Sequence, residues 1–368
     1  MEEVETLVIG GGIMGVSCAF FLAAAGREVL VVDQREIGAE ASGTNAGSLA
    51  IQNKPAGIVR MSMAGVAEWA GLGRLAGADF EYRRSGGLRV AEDERGAEKL
   101  RAAAELQSRL GLEVFHVSGD EARAIAPYLS RRVVAANWCP SDGQCNARTA
   151  TQLLAKAAAG RGARFAPRRA ALGISRDRGQ TVRVETQAGP VRAARLVIAA
   201  GVWSQKVAAH LGVKLQIRLR INQMMVTEAT APILRHIITH IDGVLTVKQL
   251  NCGTVLVGGG WQGWGDLERN VKGPAYESML GNGGLAARVI PALVGLNVIR
   301  GWAGFDGRTA DELPIIGPVP GWPGVFLATS CFGGFTVGPL VGRLTAEMVA
   351  SGKVPPEVAD FTPARYLS

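Results

Sequence analysis

The order of chain segments predicts an α/β fold in which two domains are interleaved, and three observations carry that expectation. Residues 6–9 are a short apolar β-type run that passes directly into a glycine turn and then into helix formers over 16–25, with a second apolar run at 28–32. That is the strand, turn, helix, strand order of a Rossmann-like unit. Near the far end the order recurs, with a short strand over 324–328, a glycine-bearing turn over 330–339 and an amphipathic helix over 340–349. Between the two lie alternating β-type runs at 219–226, 243–248 and 254–258, which suit an antiparallel sheet covering the first domain.

Composition bounds the rest. The 368 residues are 48% hydrophobic and 20% charged, an ordinary globular balance, and about 150 residues per domain suggests about two domains. The formal charge is +8, but the basic residues are scattered (Arg83-Arg84, Arg131-Arg132, Arg168-Arg169). This argues against nucleic acid and fits anionic substrates or an acidic partner subunit. Five cysteines, at 18, 139, 145, 252 and 331, show no C-x-x-C spacing, as expected of a reducing compartment without a metal cage or an internal iron–sulfur cluster. Met1-Glu2-Glu3 has no signal-peptide character, and no apolar run reaches the roughly 18 residues of a membrane span. A cytoplasmic protein is expected. The 49 glycines exceed the average of roughly 7% and gather at strand ends, where tight turns against a ligand would need them.

The first turn reads Gly10-Gly11-Gly12-Ile13-Met14-Gly15, and the second strand ends in Asp33-Gln34. A G-x-G-x-x-G match alone is weak; flanked by strand and helix and followed by an acid about twenty positions on, it is a dinucleotide fingerprint. Gly10 permits the tight turn, Gly12 lets a pyrophosphate approach the backbone, and Gly15 lets helix and strand pack, while the helix N-terminus offers N–H groups to phosphate. Asp33 is expected to accept from the adenosine ribose. The motif leaves FAD and NAD open. The segment Ala41-Ser42-Gly43-Thr44-Asn45-Ala46-Gly47-Ser48 argues for flavin, since a small polar loop there can wrap a ribityl chain and aim N–H groups at an isoalloxazine ring.

With these residues the chain resembles the FAD-dependent amine and D-amino acid oxidoreductases, the family of glycine oxidase, sarcosine oxidase and D-amino acid dehydrogenase. The likeness continues through Ser141-Asp142-Gly143-Gln144-Cys145-Asn146-Ala147, Ala199-Ala200-Gly201-Val202-Trp203-Ser204, Gln223-Met224-Met225-Val226-Thr227, Trp302-Ala303-Gly304 with Arg308-Thr309-Ala310-Asp311, and Gly333-Gly334-Phe335-Thr336-Val337-Gly338-Pro339. It implies a glutathione-reductase-type FAD fold, with residues 1–85, 143–212 and 300–368 in the FAD-binding domain and 86–142 and 213–299 in the substrate domain. It also implies cofactor contacts from Ala200, Gly201, Trp203, Gly304, Gly333, Gly334, Phe335 and Thr336, the last at the flavin's N1–C2=O edge. There a helix N-terminus would stabilise the negative charge of the reduced ring.

The departures are informative. Covalent-flavin members carry a cysteine where this chain has Gly304, and 302–311 holds no Cys or His, so FAD is expected to be non-covalent. The arginine that binds substrate carboxylate in some members is missing from 48–53, and Gly333 stands where many members have His. Thr246-Val247-Lys248-Gln249, the run from Gly253 to Trp261, and Cys331-Phe332-Gly333-Gly334-Phe335-Thr336 are similar to β subunits of heteromeric dehydrogenases acting on D-hydroxyproline, proline or opines. That narrower resemblance implies α and small ferredoxin-like partner subunits, where an FMN or an iron–sulfur cluster would reside.

The expected activity is oxidation of the C–N bond of a small amino or imino acid (D-hydroxyproline, proline, opine or sarcosine type) by hydride transfer to flavin N5, with a dehydrogenase favoured over an oxidase. The amine must be neutral, no strong general base is required, and a cation must hold the carboxylate. Lys248 is the first candidate for that cation and Arg308 the second. An oxygen-using glycine or D-amino acid oxidase and an FAD-binding electron-relay subunit inactive alone are the competing readings. His236 and His240, four apart, lack a third ligand and the glutamate of a zinc protease, so no metal is expected. A helix is expected over 92–112, and the turns at 83–87 and 138–143 are read as domain crossings.

Overall fold

The computed structural model describes residues 1–177, 181–329 and 332–366. Strand β1 (Glu2–Ile9) leads into helix α1 (Ile13–Ala24) and strand β2 (Val29–Val32), and β1 pairs in parallel with both β2 and Val191–Ile198. The first sheet runs Ile315–Pro318, Val325–Thr329, Val191–Ile198, β1, β2, Arg164–Ala166, with Val182–Thr186 and Ala171–Arg176 added antiparallel beside Val191–Ile198. Its strands β2 and Val325–Thr329 are buried along their whole length because both faces are covered. Val8, Val16, Phe20, Val197 and Leu344 belong to the core under α1 and the C-terminal helix Gly334–Ser351. Leu7, Ile9, Leu196 and Val207 belong to the core on the other face. A Cβ on Gly342 would meet the Cys18 amide at 2.7 Å, so the last helix closes directly on the first.

The second sheet runs Val298–Thr309, Ile217–Ala229, Thr254–Gly258, Thr246–Gln249, Ile237–His240, Gly87–Ala91, Ala135–Cys139, Phe115–Ser118. Its described pairs are antiparallel except Ile237–His240 with Gly87–Ala91, which is parallel, so the sheet expected to be antiparallel is mixed. The exception falls where two remote chain segments meet, and no hairpin dictates direction there. Helix Tyr276–Val289 covers this sheet, with Leu285 and Val289 packed in one core with Leu88, Val90, Val247 and Val257. Strand Val298–Thr309 pairs along its length with Ile217–Ala229, in register Asn222 to Gly304 and Arg220 to Asp306. It therefore lies in the second sheet, although its sequence places residues from 300 onward with the cofactor domain.

Local differences have local causes. The strand expected over 243–248 begins only at Thr246, because the amides of Asp242 and Gly243 donate to His240 Nδ1 and turn the chain. The helix expected over 92–112 spans Glu94–Arg109, started by the Asp93 side chain accepting from the Gly96 amide at 2.7 Å. The last helix starts at Gly334, six residues before its expected start, so the predicted glycine turn is largely its first turn. Ser330 and Cys331, part of that expected turn, lie outside the described residues. No helix among the described residues is long and apolar enough to cross a membrane.

Candidate cofactor and substrate cleft

A cavity of about 740 Å³ opens along the carboxyl ends of the parallel strands and continues beneath the second sheet. Its first stretch is lined by Gly10, Gly12, Ile13, Met14, Asp33 and Gln34. Gly10 has φ +113°, and a Cβ there would run into the Ala199 carbonyl. A Cβ on Gly15 would run into the Gly10 carbonyl; this residue supports the turn from behind and does not line the cavity. Gly12 differs from both: a Cβ would meet only Ser42 Oγ, at 3.1 Å, so the space in front of it is left for a ligand. It caps α1 in extended conformation, and no acid stands in the helix's first turn to compete with phosphate. Asp33 accepts from the amides of Gly11 (2.6 Å) and Arg35 (2.7 Å), which ties strand end to turn. Burial raises the Asp33 carboxyl's pKa against the opposing pull of these amides.

The loop after β2 forms a short helix, Ala41–Thr44. Ser42 Oγ accepts from the Ile13 amide at 2.9 Å, and Asn45 Oδ1 accepts from Gly47 at 2.6 Å. Trp302 Nε1 donates to the Thr44 carbonyl at 2.9 Å, and the close approach of Thr44 leaves no room for a Cβ on Gly304. Ser42, Thr44, Asn45 and Ala46 line the cavity; Gly43 and Gly47 do not. Gly43 packs on the Gly38 carbonyl, while Gly47, at φ +65°, packs on the Cys145 carbonyl and Lys248 Nζ. Ala200, Gly201, Trp203, Gly304, Gly333, Gly334, Phe335 and Thr336 all line the cavity, brought together from three remote segments. Thr336 is buried in the first turn of the last helix, and its Oγ1 donates to the Ser48 carbonyl at 3.5 Å.

Lys248 lies outside the cavity lining. It is 1% exposed, its ammonium donates to the Cys145 carbonyl at 2.7 Å, and burial pushes its pKa down to about 8. It stands one layer behind, under the loop at Gly47. Arg308 does line the cavity, stacked 4.2 Å from the Phe332 ring and paired to Glu312 at 3.3 Å. The charged lining residues that escape the sequence reading include Lys54, Arg89 and Asp306. The Nε atoms of Arg89 and Arg308 are buried without a hydrogen-bond partner among the described residues. Burial lowers the Arg89 pKa, only partly offset by Asp242. Asp306 accepts from Asn222 Nδ2 at 2.9 Å; burial raises its carboxyl to about 6, opposed by Arg308. The available signal was period two: Gly304, Asp306 and Arg308 share one face of a strand whose Gly304 matches the flavin-facing position of the family.

Among the described residues, His236 and the cysteines stand apart from this cavity, whereas His240 lines it. His236 Nδ1 shares a hydrogen bond with Tyr128 Oη, 2.8 Å away, while His240 faces Glu92 at 3.5 Å. Burial raises the thiols of Cys18, Cys139 and Cys145 to about 12. No group of three or more His, Cys, Asp or Glu among the described residues is placed to hold a metal ion.

Known proteins share this architecture over its whole length. The chain is 27% identical to an opine oxidase subunit of Agrobacterium tumefaciens (strain Ach5), with 100% of this chain and 98% of that protein covered. It is 26% identical to glycine oxidase of Geobacillus kaustophilus (strain HTA426), covering 99% and 97%. Among solved structures, L-proline dehydrogenase from P.horikoshii superposes with a TM-score of 0.88 at 27% identity, covering 100% of this chain and 98% of that one. The family pattern of the FAD dependent oxidoreductases (DAO) matches residues 5–348, and FAD is the cofactor of that family. The glycine left open at the helix start and the lining drawn from three segments fit that cofactor, and the chain belongs to the DAO family of FAD-dependent oxidoreductases.

Proposed function

We propose that this chain oxidises the C–N bond of a small amino or imino acid, of the D-hydroxyproline, proline, opine or sarcosine type, as the catalytic β subunit of a heteromeric dehydrogenase. The observation that carries this reading is one continuous cleft. It joins the dinucleotide fingerprint to a chamber lined by Lys54, Arg89 and Arg308. FAD, when bound, supplies the hydride acceptor. The fingerprint, the 42–46 loop, Ala200 to Trp203 and Gly333 to Thr336 hold it without a covalent bond, since 302–311 has neither Cys nor His. Segments 1–85, 143–212 and 300–368 serve the cofactor, and 86–142 and 213–299 cover the substrate, with the strand at 298–309 belonging to both by position.

Arg89 takes the role that the sequence suggests for Lys248. Its side chain lines the cleft, and a guanidinium there is suited to a charge-assisted hydrogen bond with a substrate carboxylate. Lys248 is a positioning residue: it holds the Cys145 carbonyl and thereby the 45–47 loop. The second sheet excludes water and fixes the α-carbon against the reactive ring. The subunit names of the opine and sarcosine oxidase relatives support a heteromeric assembly; in this reading α and smaller partners carry the further redox groups. Anaerobic mixing of the FAD-loaded chain with glycine, sarcosine, L-proline, D-hydroxyproline and octopine tests the reading. Bleaching of the visible band by one of them is expected, and a band unchanged by all of them refutes it.

The glycine oxidase relatives, which the chain matches end to end, favour an oxygen-using enzyme as second reading. Rapid recolouring of the bleached protein in air, with peroxide formed, would select that reading over the dehydrogenase.

A further inference from the structure

Resting on the amine-oxidation reading above, the geometry points to Asp306 as the proton acceptor for the substrate's ammonium group, which makes the reacting nitrogen neutral inside the closed cleft. An amino acid is an ammonium at neutral pH, and its nitrogen has no lone pair to push until a proton leaves. Once the second sheet covers the chamber, bulk water is a poor acceptor, and a carboxylate in the lining is the group suited to the task. In the step, one N–H bond of the ammonium breaks, an O–H bond forms on Asp306, and the electron pair stays on nitrogen.

Asp306 lines the cavity on the same strand face as Gly304 and Arg308, two residues beyond the glycine that packs on the cofactor loop. Asn222 Nδ2 donates to it at 2.9 Å, and Gln262 Nε2 in turn donates to Asn222 Oδ1 at 2.9 Å, so an amide relay fixes which way the carboxylate faces. The surrounding charges suit the step. Arg308 on its own strand and Arg220 on the paired strand favour the ionised carboxylate. Lys54, Arg89 and His240 line the same cavity, and Glu40 and Lys272 flank the neighbouring Phe305. Lysine and arginine cations around the chamber also favour deprotonation of a bound ammonium, lowering its affinity for the proton it must give up. Burial brings the carboxyl to about 6, closer to the amine than an ordinary aspartate.

The sign of the pH dependence follows. Asp306 accepts only when ionised, so kcat/KM for the amine that bleaches the protein fastest rises through an acid limb near pH 6 and does not fall where the substrate ammonium loses its proton in solution, because the neutral amine is already the reacting form. In Asp306→Asn, loaded with FAD, the acid limb disappears and kcat/KM climbs with pH throughout. The loss is roughly a hundredfold at pH 7.5 and shrinks to a few-fold at pH 10, where solution already supplies the neutral amine. Asp306→Glu keeps an acid limb and recovers part of the rate at pH 7.5. An Asp306→Asn enzyme that retains the limb, or that loses the same factor at every pH, overturns the assignment while leaving amine oxidation intact. If Asp306→Asn does not retain FAD, Asn222→Ala decides: loss of its hydrogen bond must move the acid limb to higher pH, and an unmoved limb overturns the assignment. A wild-type protein that holds FAD and is bleached by no amine of the panel refutes the parent reading instead.

Discussion

Two cations with opposite placements show how much a side chain's role depends on which side of a wall it stands. Arg89 lines the cleft, and Lys248 is sealed behind the loop with its ammonium on a backbone carbonyl. Replacing Arg89 by Ala removes a charged hydrogen-bond donor of the bound state, and such bonds contribute about 1.5–3 kcal/mol. Steady-state kinetics with the amine found by bleaching are therefore expected to show KM raised roughly 10- to 100-fold, with kcat changed far less. Lys248 affects stability. Its folded-state pKa, about 8, lies below the ordinary 10.5, so the unfolded chain binds the proton more tightly and the penalty is fully present below pH 8. It is relieved as pH rises from 8 towards 10.5. Denaturant melts of wild type and Lys248→Met across pH 7–10 should therefore differ most at pH 7, in favour of Met, and converge by on the order of 2–3 kcal/mol as pH rises. A constant difference would show that the lysine is not held against its charge.

At the level of elements, the strand–turn–helix at the start was legible because its glycines answer three separate steric demands. Only one of these demands concerns a ligand. A Cβ at Gly10 or Gly15 collides with backbone, so substitution there damages the fold. At Gly12 the nearest atom is a serine hydroxyl at 3.1 Å. Gly12→Val is expected to fold and melt near the apo wild type yet lose at least roughly tenfold in FAD affinity, read from visible absorbance retained per chain after gel filtration. Collapse of the apo fold would show that the open space is structural. The last helix reads six residues short in the sequence because glycines and Pro339 look like turn residues there. In the fold Pro339 stands at the sixth helical position, where the first turn has just ended. The strand at 298–309 is recognisable by its glycine, and its aspartate only by counting two residues on from that glycine, since a single acid on a strand has no motif of its own.

On the scale of the whole molecule, the cofactor cleft draws its walls from residues near 10–14, 33–46, 199–203, 304–308 and 332–336, so a bound dinucleotide ties the two ends of the chain to its middle. A ligand that binds only the folded state stabilises it by RT ln(1 + [L]/Kd), about 2.7 kcal/mol at a hundredfold excess over Kd. For a chain of 368 residues this corresponds to a rise in Tm of roughly 3–4 °C. Differential scanning fluorimetry of apo protein with and without FAD measures it; an unchanged Tm at saturating FAD would contradict a cleft shared among the segments.

The sequence by itself determined the parallel unit, the dinucleotide fingerprint, the family likeness and the absence of an anchoring thiol beside Gly304. These are local properties, written in the spacing of glycines and apolar residues along a few dozen positions. Only the tertiary structure decided which charges line the cleft. Lys54, Arg89, Asp306 and Arg308 come from three remote segments, and Lys248 is separated from them by one layer of backbone. The physical reason is that exposure to a cavity depends on what packs in front of a side chain, a relation between distant parts of the chain that no local pattern encodes.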